Sequence, residues 1–122
     1  MRFKRLALAT TGVCLALVAA WLVAPRALLA FWGVPSAAGP LVDLMGRRTA
    51  ALFAGLGLML FLARNAEASG ARTALARGFA LACVGLAFSG VYELWAGHAG
   101  VGILGASLVE AALALGFLTA RA

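Results

Sequence analysis

Few side chains in this sequence could do chemistry, and three of them are charges set inside apolar runs. They are Arg48 in GRRTAALFAGLGLMLFLAR, Glu93 in GVYELWAG and Glu110 in GASLVEAALALGF. In water such residues are ordinary. In hydrocarbon an isolated charge costs about 2.5–3.5 kcal/mol even on the lenient insertion scale, so it is paired, neutral or functional. Arg48 stands sixteen residues before Arg64, and Glu93 sixteen after Arg77. On helices, both lie about 24 Å from their basic flank. Opposite charges at one depth can satisfy each other, which predicts an Arg48–Glu93 ion pair near the outer edge of the hydrocarbon. Arg47 points about 100° away from Arg48. Its expected partner is Asp43, one turn earlier in the favourable acid-before-base order. Asp43 also suits the first turn of a helix beginning near Pro40, where the dipole attracts an anion. Arg48 is then inside that helix and dips below the interface. Tyr92 can lend a hydroxyl to this outer cluster, although a tyrosine here also fits an interfacial belt.

Glu110 is the sharper candidate. It stands eleven residues from Arg121, near the middle of its run, with no basic residue at its level. Three arrangements would accommodate it: a neutral carboxyl, a reach by Arg48 from above, or a hydrated cavity. Small residues accompany it at helical spacing, Gly102, Ala106 and Ala114, so its face can approach a neighbour closely. The Glu93 face carries Ala82, Gly85, Ser89 and Gly90, and the first run offers Gly12, Ala16 and Ala20. These stripes predict a tight bundle and self-association.

Catalysis has little to work with. The chain has one His and one Asp, and it lacks a nucleophile motif and a phosphate-cradling glycine loop. A two-carboxylate site from Glu93 and Glu110 would need them about 5–10 Å apart. Cys14 and Cys83 fall in separate apolar runs and read as small buried hydrophobes. With His98 in a Gly-rich turn as a solvated imidazole, no metal-ligand spacing arises. The expectation is no catalytic residue, no metal and no cofactor.

The elements that must position these residues follow from composition. Of 122 residues 65% are hydrophobic and 11% charged, with a mean hydropathy of +1.04. A soluble domain of this size cannot hide so much apolar surface. The net charge of +6 would suit nucleic acid, but the basic residues flank apolar runs and form no stripe with interleaved aromatics. They read as topology charge, and no nucleic-acid partner is expected. The N-terminal apolar run exceeds the usual signal-peptide length of about 7–15 residues and is followed by no close A-x-A site, so it reads as a retained first span.

Charges and Gly/Pro clusters divide the chain into four spans, at about 6–24, 43–63, 78–96 and 101–120. Period-two alternation is absent, which argues against a β-barrel. The fold expected is all-α: a polytopic integral membrane four-helix bundle in one transmembrane domain. With the N-terminus inside, seven Lys and Arg fall on the inner side and Arg26, Arg47 and Arg48 on the outer, so both termini face the cytoplasm. Trp21, Trp32, Tyr92 and Trp95 then gather at the outer end, as an aromatic belt would. Between spans one and two, PRALLAFWGVPSAAGP is too short to cross and too apolar for a solvated linker. It reads as an interfacial half-helix anchored by Phe31 and Trp32. The inner loop with Arg64, Arg72 and Arg77 can touch anionic headgroups.

GRRTAALFAGLGLMLFLAR and GASLVEAALALGF resemble stretches of uncharacterised small bacterial four-span membrane proteins of the domain-of-unknown-function kind, over spans two to four. The resemblance implies fold and location in the bacterial inner membrane, and no activity. Small multidrug transporters carry their carboxylate in the first helix, and fluoride channels an Asn/Phe/Ser-rich pore; both features are missing here. Two functions follow as expectations. One is a non-enzymatic accessory subunit or self-associating scaffold, with the lipid bilayer and a homodimer or larger membrane complex as partners. The other is a small transporter or ligand-binding bundle using Glu110, Glu93, Arg48 and Tyr92 for a proton or a polar or cationic solute.

Overall fold

The computed structural model describes residues 2–34 and 40–120. Five α-helices and no strand occur among them: α1 (Arg2–Val23), α2 (Pro25–Phe31), α3 (Pro40–Ala63), α4 (Gly70–Trp95) and α5 (Ile103–Thr119). Three of these, α1, α3 and α4, are long and apolar enough to cross a membrane; α5 is a shorter apolar helix of 17 residues.

Local chemistry sets the boundaries. Proline lacks an N–H and disfavours helical backbone in the residue before it. Accordingly α1 stops at Val23, and Pro25 opens α2 at its first position. Pro40 opens α3 in the same way, with Asp43 in the first turn and Arg48 well inside the helix, as the sequence predicts. The helix expected from residue 78 begins eight residues earlier. Ser69 is its N-cap, and its hydroxyl accepts from the Arg72 N–H at 3.2 Å, so the run GARTALAR coils despite its charges. The short helix α2 falls within the segment read as a half-helix, while residues 35–39 of that segment lie outside the described residues.

Packing joins the helices in two tight pairs, α1 with α3 and α4 with α5, which meet mainly through α1 and α5. Both pairs are built on small residues. In the first, a Cβ added at Gly57 would stand 3.0 Å from the Cys14 Cβ. The Thr11 hydroxyl reaches across to the Gly57 carbonyl at 3.2 Å while also bonding Ala7. In the second, Gly90 leaves room for the Ser107 side chain, whose hydroxyl donates to the Ala87 carbonyl at 3.3 Å. Small residues let backbones approach and add dispersion contacts without needing water as a driving force. The shared core clusters toward one end, where the Phe117 ring meets Phe3 edge-on at 6.2 Å and Phe79 at 5.1 Å.

Candidate functional site

The polar end of the molecule opposite that aromatic core is built from two helix stops of the same design. At the end of α4, Gly97 adopts φ +81°, so the His98 N–H bonds the Glu93 carbonyl at 2.9 Å and the Gly97 N–H bonds Leu94 at 3.2 Å. At the end of α2, Gly33 adopts φ +71°, with Val34 bonded to Leu29 at 2.9 Å and Gly33 to Ala30 at 3.0 Å. This paired pattern is the Schellman motif, which satisfies the last carbonyls of a helix through a left-handed residue. The Gly100 N–H donates to the Trp32 carbonyl at 3.0 Å, tying the two stops together. Gly33, Gly100 and Gly102 make that approach sterically feasible; a Cβ on Gly102 would run into the Phe31 carbonyl.

This geometry assigns the charges differently from the sequence reading. Glu93 is paired with His98, Oε2 to Nδ1 at 2.7 Å, in place of Arg48. The left-handed turn at Gly97 brings the imidazole back over the last turn of its own helix, whereas Arg48 is exposed on α3, which belongs to the other helix pair. Asp43 is paired with Arg26 at 3.4 Å, in place of Arg47. The reason is again topological: α2 sets its first turn against the start of α3, which no i,i+4 rule registers. Arg47 is exposed and lines an open cleft with Trp21, Arg26 and Asp43. The Arg26–Asp43 ion pair and the Glu93–His98 hydrogen bond are both solvent-accessible, and such exposed pairs contribute about 0–1 kcal/mol each. Tyr92 is exposed, its ring 6.4 Å from that of Trp95. The Trp32 ring packs edge-on against Trp21 at 6.0 Å, while Phe31 is exposed.

Glu110 occupies a different setting. It lies on the inward stripe of α5, in helical register with buried Ser107, Ala114 and Phe117, and is itself half-buried. Among the described residues its carboxyl has no hydrogen bond or ion pair. An apolar groove along α4 and α5 is lined by Ser107, Ala111 and Ala114, and Glu110 is not part of that lining. Glu93 and Glu110 are therefore not one site: Glu93 caps the end of α4, and Glu110 faces the interhelical space. Among the described residues no group of His, Cys, Asp and Glu is placed to hold a metal.

His98 and Arg26 are the participants that sequence reasoning missed. The signal for His98 was present: glycine four residues after a glutamate, at the end of an apolar run, followed by histidine. For Arg26 nothing in the spacing pointed to Asp43. Comparison with known proteins finds no family model, no curated protein and no solved structure that matches the chain.

Proposed function

We infer that the chain is an integral membrane protein of the bacterial inner membrane, and that it acts without catalysis as a self-associating scaffold or accessory subunit. Support for membrane embedding comes from the surface. Every long helix presents large apolar side chains outward, among them Leu15, Leu52, Leu81, Phe88, Leu108 and Leu115, each more than half exposed. In water this would be a severe aggregation liability; in lipid it is the expected exterior. In this reading α1, α3, α4 and the shorter α5 all cross. At 17 residues α5 spans about 26 Å, somewhat less than the hydrocarbon, a mismatch that local thinning absorbs. The end bearing Arg2, Lys4, Arg5, Arg64, Arg72 and Arg77 is cytoplasmic by the positive-inside rule, and the Trp21, Trp32 and Trp95 end is external.

One observation carries the scaffold reading. On α4, Gly78, Ala82, Gly85 and Ser89 form a continuous exposed stripe, and a Cβ on Gly78 or Gly85 would meet nothing within 4 Å. Inside the molecule the close helix pairs use small residues of the same kind. A stripe left open suits a neighbouring helix of a second copy or a larger complex. The test is the oligomeric state in liposomes at increasing dilution, read by subunit counting. A wild-type protein that is monomeric throughout and copurifies with no partner in fixed ratio would refute it. Glu110, inward and without a partner among the described residues, favours a second reading, a small transporter or ligand-binding bundle for a proton or a polar or cationic solute.

A further inference from the structure

At the end of the bundle opposite the tryptophans, a cleft of about 470 Å³ opens between the start of α1, the start of α4 and the end of α5. Its lining has two characters. Arg72, Thr73 and Arg77 supply polar groups, and Phe3, Phe117 and Leu118 supply an apolar wall. Arg72 is held in place twice. Its guanidinium lies 4.8 Å from the centre of the Phe3 ring and donates to the Ala66 carbonyl at 3.0 Å. A guanidinium fixed before binding loses less freedom when it takes a ligand. Arg77 is exposed on the same cleft. The surroundings are strongly basic, with Arg2, Lys4, Arg5 and Arg64 nearby in the chain ends and loop and Glu67 as the acid among the described residues there.

We propose that this cleft is a binding site for an acidic phospholipid. Arg72 and Arg77 take the headgroup phosphate, and Leu118, more than half exposed beside the buried Phe3 and Phe117 rings, takes the first carbons of the acyl chains. The guanidinium fork matches phosphate oxygens in geometry as well as charge. The adjoining exposed apolar surface at Leu118 suits a molecule that is anionic at one end and hydrocarbon at the other, which inorganic phosphate is not. The site rests on the membrane reading above and adds to it a preference among lipids.

The test is native mass spectrometry of the protein released from bilayers of mixed phosphatidylglycerol and phosphatidylcholine. The wild type is expected to retain phosphatidylglycerol selectively. Arg72→Gln and Arg77→Gln are each expected to lower that retention about fivefold, the worth of one basic residue against an anionic lipid. Arg64→Gln, whose guanidinium is engaged with the Phe61 ring and carbonyl away from the cleft, is expected to leave it unchanged. Equal retention of both lipids, wild-type retention by both cleft variants, or an equal loss in Arg64→Gln would overturn the site, as would displacement of the lipid by inorganic phosphate. A protein that inserts but shows no lipid preference removes the site alone. One that fails to enter the bilayer removes the membrane reading and the site together.

Discussion

His98 Nδ1 stands 2.7 Å from Glu93 Oε2, five residues back across the left-handed turn that ends α4. In most Schellman motifs the residue after the glycine makes an apolar contact with the last turn. Here an imidazole and a carboxylate make that contact, on top of the backbone bond between the same two residues. The pair closes the α4–α5 turn, which also holds the end of α2 through Gly100 and Trp32.

A double-mutant cycle on Glu93→Gln and His98→Ala is therefore expected to return a coupling of a few tenths of a kcal/mol up to about 1 kcal/mol, the range for exposed pairs. The companion cycle with Arg48→Gln should return a coupling near zero. Unfolding of the purified protein in mixed detergent measures both. A larger coupling to Arg48 than to His98 would contradict the assignment.

Glycine substitutions separate internal packing from association. Gly90→Val pushes into the Ser107 side chain and is expected to destabilise the fold by about 1–3 kcal/mol, the usual cost of overpacking. Gly85→Val adds a side chain to open space. It should leave unfolding almost unchanged while weakening self-association in liposomes. Loss of stability in Gly85→Val with association intact would reverse the roles given to the two faces of α4.

Gly102→Ala drives a methyl group into the Phe31 carbonyl, a backbone atom that cannot rotate away. Its expected cost is again about 1–3 kcal/mol. Gly78→Ala, on an open face of α4, is expected to be neutral or to stabilise by about 0.5–1 kcal/mol through helix propensity. Thermal unfolding of the two variants side by side decides the matter.

Glu110→Gln keeps the side-chain volume and removes the charge. Under the scaffold reading the variant folds, associates as the wild type does, and neither protein drives proton-coupled uptake into liposomes. Uptake by the wild type that the variant abolishes, with folding intact, would establish the transporter reading instead.

What local order could reveal was legible along the chain. The helices themselves, the break at Pro25, the start of α3 at Pro40 and the inclusion of Arg48 within it all follow from hydropathy and from proline geometry. The start of α4 was misjudged because charged residues were counted as loop, while the Ser69 cap and the following alanines favour a helix. The charge pairs were misassigned because depth along a helix says nothing about which helices are neighbours.

Sequence alone determined a helical chain with an apolar exterior, most of its charges near helix ends and turns and Glu110 set in the middle of a span, because hydrophobic length and backbone rigidity act residue by residue. Only the tertiary structure decided that α1 joins α3 and α4 joins α5, that Asp43 meets Arg26, and that Glu110 lies on the inward stripe of α5. Those facts depend on where small residues let one backbone approach another. Such fit is a property of two surfaces together, and neither run of residues contains it by itself.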